Sequence, residues 1–138
     1  MLIGEYQHSL DIKGRLNFPA RLRESLGERF FITKGLDGCL AVYSEDEWKA
    51  LEDKFRTLTN KEGRALQRYF FSGAAEIEPD KQGRILIPAS LREFAGLDKN
   101  VMVIGASVRA EIWDKEKWDK HQTLTDDDVV GMMENISF

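Results

Sequence analysis

The chain has 138 residues, of which 42% are hydrophobic and 32% are charged, with 11 glycines and 3 prolines. This length is typical of one domain, and the composition excludes a disordered or fibrous protein. No run reaches the ~18 to 20 apolar residues of a membrane span, and residues 1–10 lack the features of a secretory signal. We expect a soluble, cytoplasmic protein whose two halves share one core.

The charges are unevenly distributed along the chain. The formal net charge is −4, yet residues 1–110 hold 17 basic and 16 acidic side chains, whereas residues 111–138 hold 3 and 8. Three of those eight, at positions 126–128, are consecutive. Binding to phosphates requires a basic surface. A near-neutral body with an acidic end is compatible with local basic patches that bind DNA, and charge alone does not decide the matter.

One short unit is written twice in the sequence. Residues 11–24 and 80–93 align at an offset of 69 and are identical at eight of fourteen positions. The correspondence continues at an offset of 69 or 70 through the glycines and tryptophans that follow, up to Trp48 and Trp118. Two copies are too few to stack as a solenoid, so the repeat predicts a domain with pseudo-two-fold symmetry.

In chain order, each copy predicts strand, turn, strand, short helix, strand and strand. Short strand patterns flank a polar turn in both copies, and a Phe-Pro or Ile-Pro pair then opens a helix that a glycine closes. The first copy has strands at 6–10, 16–18, 30–34 and 39–43 and a helix from Pro19 to Gly27; the second has strands at 75–77, 85–87, 101–104 and 110–113 and a helix from Pro88 to Gly96.

The polar turns have an aspartate in first place and a glycine in fourth. Asp11 and Asp80 can accept hydrogen bonds from the turn amides, while Gly14 and Gly83 supply the positive φ that the returning strand requires. Both copies therefore predict a tight β-hairpin.

Two helices are predicted between the copies. Ser44 with Glu47 and Thr59 with Glu62 fit capping boxes, each ahead of an apolar stripe at helical spacing. The organisation is then a first module at 5–47, connecting helices at 48–73, a second module at 76–119, and an acidic tail at 120–138 with a short helix after Thr125. The apolar stripes are expected to pack in the core, or otherwise to form a subunit contact.

The doubled Asp-x-x-Gly-Arg turn followed by Pro-Ala-x-Leu-Arg resembles the MraZ family of bacterial transcriptional regulators, as does the opening stretch of residues 1–15. Each half is similar to the SpoVT-AbrB swapped-hairpin module, and the resemblance covers almost the whole chain. It implies an α+β fold with a mainly β core: an AbrB-like, double-psi-type small β-barrel built from two tandem repeats, with an αα-hairpin between them and a short C-terminal helix.

The resemblance also implies a function. It implies that several subunits close into a ring and that the ring binds short direct repeats in double-stranded DNA, upstream of a cluster of cell-division and cell-wall genes. Such a protein would regulate transcription, most simply as a repressor, at the nucleoid.

Basic residues of the turns and of the helices after them are the candidate DNA contacts. A hairpin can enter the major groove, where arginine contacts guanine with two hydrogen bonds. We expect Arg15 and Arg84 to be the central contacts, with phosphate-binding lysines beside them. The full candidate set is Lys13, Arg15, Lys81, Arg84, Arg21, Arg23 and Arg92.

Two structural alternatives remain open for these side chains. Asp11 with Arg15, or Asp80 with Arg84, lie across a tight turn and can form surface ion pairs. The lysines can be charges that protect an edge strand from aggregation, and charges on helices usually face solvent.

An enzyme finds little support in the sequence. The chain has only His8 and His121, one cysteine, no phosphate-binding glycine loop and no metal-ligand spacing, so we expect neither a cofactor nor a metal. Cys39 reads as a small buried residue and His8 as a polar residue of the first strand. The competing function is an oligomeric, protein-binding scaffold, similar to the antitoxins that share the AbrB hairpin.

Overall fold

The computed structural model describes residues 1–121 and 123–136, and in this part of the chain it contains eight strands and six helices. The strands are β1 (Glu5–Ser9), β2 (Arg15–Asn17), β3 (Phe30–Lys34), β4 (Leu40–Ser44), β5 (Ala75–Ile77), β6 (Arg84–Leu86), β7 (Asn100–Ala106) and β8 (Arg109–Asp114). The helices are α1 (Ala20–Leu26), α2 (Glu45–Arg56), α3 (Lys61–Phe71), α4 (Ala89–Ala95), α5 (Lys115–His121) and α6 (Asp126–Met133).

The strands form two antiparallel sheets in which the repeated units are interlaced. The larger sheet has the order β1-β7-β8-β4-β3-β5, and the smaller contains β2 and β6. Strand β1 of the first copy pairs with β7 of the second, while β5 of the second copy pairs with β3 of the first. The predicted hairpins are therefore wrong: the strands on either side of each polar turn, β1 with β2 and β5 with β6, lie in different sheets, because each of them pairs with a strand of the other copy. If each strand is replaced by its equivalent in the other copy, the strand order of the larger sheet is reversed but otherwise unchanged. The sheet therefore has a pseudo-two-fold axis. The fold is therefore α+β and pseudo-symmetric, as expected, although the strand pairs in the described residues do not define a closed barrel.

One apolar cluster fills the space between the sheets and the short helices, and both copies contribute to it. Leu16 and Ile85, the central residues of β2 and β6, are buried in it. Leu22 of α1 and Leu91 of α4 are buried beside them. The expectation that the two halves share a core is confirmed.

The helices α2 and α3 form the predicted αα-hairpin against β3. Trp48 stacks on Phe31 with ring centroids 5.2 Å apart and meets Phe71 edge-on at 4.8 Å. The hydroxyl of buried Thr33 donates a hydrogen bond to the carbonyl of Phe70. This packing attaches the connecting helices to the larger sheet.

Several helix ends differ from the sequence expectation. Pro19 and Pro88 are N-caps with extended ψ angles of 127° and 146°, and the helices begin one residue later. Asn60, not Thr59, caps α3, accepting a hydrogen bond from the backbone of Gly63 at 2.8 Å. Asparagine is among the best N-cap residues, and Asn60 directly precedes Lys61, the first residue of α3. Asn60 is therefore the cap in place of Thr59.

No residue of the C-terminal helix α6 belongs to the apolar core clusters of the described residues. Thr125 and Asp128 form a capping box at its start. Its apolar side chains are nevertheless exposed: Val129, Val130, Met132 and Met133. Core packing was the expectation for such a stripe, and for α6 it is wrong within the described residues, which leaves the subunit contact as the alternative.

Among the described residues, no helix has the length and apolar character to span a membrane.

Cys39 is fully buried beside Met102 and Trp113, as expected. Burial raises the pKa of its thiol to about 12. Because only the thiolate reacts readily, we expect iodoacetamide at neutral pH to label Cys39 far more slowly in the native protein than in denaturant. Mass spectrometry of timed samples measures both rates, and comparable rates would contradict the burial.

Candidate nucleic-acid interface

The two polar turns have the same internal hydrogen bonds. Oδ1 of Asp11 accepts the backbone N–H groups of Lys13 at 2.9 Å and Arg15 at 2.8 Å. Oδ1 of Asp80 accepts the corresponding groups of Gln82 and Arg84, both at 2.9 Å. Each aspartate thus organises its turn from the inside, which is the role expected from its place in the sequence.

The second carboxylate oxygen of each aspartate binds the arginine that ends the turn. Nε of Arg15 donates to Oδ2 of Asp11 at 2.8 Å, and Nε of Arg84 donates to Oδ2 of Asp80 at the same distance. The ion pairs considered from the sequence are therefore present. They leave 36% of the Arg15 side chain and 35% of the Arg84 side chain exposed. Among the described residues, no acceptor forms a hydrogen bond with the Nη atoms of either arginine, so these ends stay available.

Both turn carboxyls are strong acceptors in the folded protein. The backbone hydrogen bond from Arg15, helped by its side chain, lowers the pKa of Asp11, and Arg84 lowers the pKa of Asp80 in the same way. Hydrogen bonds to a carboxylate favour its ionised form. Both aspartates are therefore ionised at neutral pH and hold the arginines by charge as well as by geometry.

Each turn is covered by an arginine from the other copy. Gly14 has φ of +84°, and a Cβ placed on it would lie 2.7 Å from Cζ of Arg92, in α4. Gly83 has φ of +79°, and its Cβ would lie 2.7 Å from Cζ of Arg23, in α1. Nε of Arg23 also donates to the carbonyl of Phe18 at 3.1 Å. Arg23 and Arg92 are thus half-buried against the turns, whereas the sequence had placed them only on adjoining helices.

The antiparallel pair β2 and β6, here called the ribbon, holds the turns side by side. Arg15 lies opposite Leu86, and Asn17 lies opposite Arg84. Each turn glycine also accepts one hydrogen bond of 3.0 Å from the chain that follows the opposite strand of the ribbon. The N–H of Phe18, after β2, donates to the carbonyl of Gly83, and the N–H of Ile87, after β6, donates to the carbonyl of Gly14. The ribbon therefore brings Arg15 and Arg84 onto one face.

The remaining predicted side chains lie around the ribbon without strict symmetry. Lys13 and Lys81 are exposed in their turns, but Lys13 corresponds to Gln82, and Lys81 corresponds to Ile12. Arg21 is exposed on α1. The seven candidates are thus brought together in two groups: exposed or half-exposed side chains of the turns and of α1, and the two arginines that cover the turn glycines.

Sequence reasoning missed two residues of the ribbon. Asn17 and Leu86 are exposed. Leu16, between Arg15 and Asn17, and Ile85, between Arg84 and Leu86, are buried. Alternation along a strand places residues i and i+2 on the same face, and this signal was readable in Arg-Leu-Asn and Arg-Ile-Leu.

No cluster of three or more potential metal ligands occurs among the residues that the structure describes.

Comparison with known proteins places this arrangement in a class. The profile of the family described as "MraZ protein, putative antitoxin-like" matches residues 1–69 and 70–127, one match for each copy. Relatives named transcriptional regulator MraZ include those of Heliobacterium modesticaldum, 63% identical over 123 residues (88% of this chain and 86% of the relative), and Acetivibrio thermocellus, 59% identical with the same coverage. The relative from Desulforamulus reducens is 53% identical over 138 residues, which cover 99% of this chain and 97% of the relative.

The protein is therefore a transcriptional regulator and not an enzyme. It belongs to the MraZ family, and the resemblance drawn from its repeated motif is confirmed.

We expect Gly14→Ala and Gly83→Ala to destabilise the fold by about 1 kcal/mol or more each. A side chain at either position is strained by the positive φ and displaces the guanidinium of Arg92 or Arg23. Urea unfolding followed by circular dichroism measures the change. Gly131→Ala is the control, because a Cβ there meets nothing within 4 Å. Unchanged stability in both turn variants would refute the packing of the helix arginines on the turns.

Acid should loosen the turns through their aspartates. Because the pKa of each carboxyl is lowered on folding, the stability it contributes is present above the ordinary value of 3.8 and is lost as pH falls through the lowered value. In an NMR titration, we expect the Asp11 and Asp80 carboxyl signals to have midpoints below 3.8, and the Nε–H signals of Arg15 and Arg84 to shift with them. Midpoints at or above that value would mean that the ion pairs do not persist in solution.

Proposed function

We propose that this regulator binds DNA in a sequence-specific manner by inserting the ribbon into the major groove. The observation that carries the proposal is the presence of Arg15 and Arg84 on one exposed face of a two-stranded element, each with its Nη atoms available. The major groove of B-DNA admits a two-stranded ribbon, and the two Nη groups of an arginine match O6 and N7 of guanine. Each turn aspartate fixes the orientation of its arginine before DNA arrives.

The other basic residues take supporting parts in this proposal. Lys13, Lys81 and Arg21 are exposed around the ribbon and contact phosphates, which position the protein without reading sequence. Arg23 and Arg92 lie at the same surface and hold the turn glycines in place. Any contact that these two make with DNA is secondary to that role.

Ring assembly is the second part of the proposal. One ribbon supplies few phosphate contacts, and non-specific affinities of small modules are typically ~10⁻⁴ to 10⁻⁶ M at physiological salt. A ring that presents several ribbons to direct repeats makes later contacts intramolecular, which raises avidity ~10²- to 10⁴-fold. Exposed apolar residues support self-association: Ile3 and Val108 flank the bridge between Leu2 and Ser107, and α6 exposes its own stripe.

The biological setting is the third part of the proposal. We propose that the ring occupies direct repeats upstream of its own cluster of cell-division and cell-wall genes, in the cytoplasm at the nucleoid, and represses transcription by overlapping the promoter. The two sheets would curl around their shared core as a small barrel of the AbrB type. No cofactor is required for this mechanism.

A protein-binding scaffold is the second candidate. It is favoured by the antitoxin-like description of the family and by α6, whose first turn carries Asp126, Asp127 and Asp128 ahead of exposed apolar side chains. In this alternative the acidic helix binds a protein partner and the ribbon has no part in DNA recognition.

A binding titration with duplex DNA containing the upstream repeats separates the two candidates. We expect Arg15→Ala/Arg84→Ala to weaken binding about 100-fold or more, because two arginine–guanine contacts are lost, and to reduce the dependence of binding on salt. Arg56→Ala/Arg68→Ala removes the same charge from exposed positions on α2 and α3 and should bind like the wild type. Fluorescence anisotropy at two salt concentrations measures all three proteins.

Salt-insensitive binding that is equal in the wild type and the ribbon variant would refute the ribbon as the DNA contact. A wild-type protein that assembles into a ring and has no affinity for the repeats would favour the scaffold.

A further inference from the structure

The outer face of the ribbon carries four side chains in a compact array. Arg15 and Asn17 come from β2, and Arg84 and Leu86 from β6, while Leu16 and Ile85 point into the core with 1% and 2% exposure. Residues two apart on a strand are separated by about 6.8 Å, and paired strands by about 4.8 Å. Two base-pair steps also span about 6.8 Å, so the array matches about three base pairs.

The array is symmetric in its arginines and asymmetric at its other two corners. Arg15 and Arg84 occupy equivalent positions in the repeat, and so do Asn17 and Leu86. Asn17 is exposed and polar, whereas Leu86 is 56% exposed and apolar. Leu86 belongs to neither apolar core cluster.

The side chains at these two corners, Asn17 and Leu86, can recognise different bases. The amide of asparagine pairs with N6 and N7 of adenine, and an apolar side chain contacts the methyl group of thymine. From the exposure and the register we infer that Asn17 and Leu86 determine sequence specificity, Asn17 by reading an adenine beside the guanine of Arg84 and Leu86 by contacting a thymine methyl group beside the guanine of Arg15. This inference rests on the DNA-binding function proposed above.

The asymmetry has a consequence for the operator. A pseudo-two-fold ribbon with the same residue at both corners reads the same bases in both directions and selects a palindromic subsite. Asparagine at one corner and leucine at the other give the ribbon a direction. Each subunit then selects an asymmetric subsite, and subunits related by rotation around a ring can follow such subsites when they are arranged as direct repeats.

Selection from a random pool of duplex DNA by the full chain tests the inference. Four proteins are compared: the wild type, Leu86→Asn, Asn17→Ala and the control Leu36→Asn, which makes the same substitution at a leucine 68% exposed outside the ribbon. We expect the wild type and the control to enrich the same asymmetric subsite. Asn17→Ala should lose the preference for adenine at one position, with binding to the wild-type site about tenfold weaker, and should keep the guanines. Leu86→Asn should gain an adenine preference at the opposite corner, so that its subsite becomes palindromic.

A second measurement probes the thymine methyl group directly. Replacing with uracil the thymine assigned to Leu86 removes only that methyl group. It should weaken binding of the wild type about fourfold and leave Leu86→Ala unaffected. Equal losses in both proteins would overturn the role of Leu86.

The outcomes separate the inference from the function on which it rests. If the wild type enriches a site and the Asn17 and Leu86 variants enrich the same one with unchanged affinity, the inference is overturned and the DNA-binding function stands. If the wild type enriches no sequence, the function is overturned, and the inference with it. If gel filtration shows that Leu86→Asn breaks the oligomer and its base preference is unchanged, Leu86 is a subunit contact and the inference is again overturned.

Discussion

The pairing of β2 with β6 joins two strands 69 residues apart in sequence, and the candidate interface exists only because of it. Without that pairing, Asp11 with Arg15 and Asp80 with Arg84 would be two separate surface turns. With it, the turns lie together, and each is closed by an arginine of the other copy that lies against its glycine. The same exchange recurs in the larger sheet, where β1 and β5 pair with strands of the opposite copy.

The ion pairs within the turns clarify what the arginines can do. From the sequence, pairing with aspartate and contact with DNA are competing roles for Arg15 and Arg84. In the structure the pairs use Nε and leave the Nη atoms without an acceptor among the described residues, so one side chain can serve both roles. An arginine already held by a carboxylate loses less conformational freedom when it binds a base, and orientation is the main contribution of such exposed pairs, since they add little stability.

Local signals in the sequence were sufficient for much of this structure. The Asp-x-x-Gly-Arg pattern predicted the turns, and the doubled motif predicted the symmetry, because the hydrogen bonds of Asp11 and Asp80 and the positive φ of the glycines depend on neighbouring residues. The contacts of Arg23 and Arg92 with the opposite turns depend on the exchange of strands between copies, which no local pattern encodes. The exposure of α6 could not be predicted either, because an apolar stripe looks the same whether it packs in its own chain or against another.

The central claim is that the ribbon reads guanines from the major groove. Methylation interference tests it most directly, because a methyl group on N7 of guanine blocks the acceptor that an arginine would use and leaves the minor groove unchanged. With the proposed upstream repeats as the probe, the account predicts that methylated guanines in each repeat are depleted from the bound fraction, and that this depletion disappears in Arg15→Ala/Arg84→Ala at concentrations where that variant still binds. Bound DNA that tolerates N7 methylation throughout the repeats would contradict it.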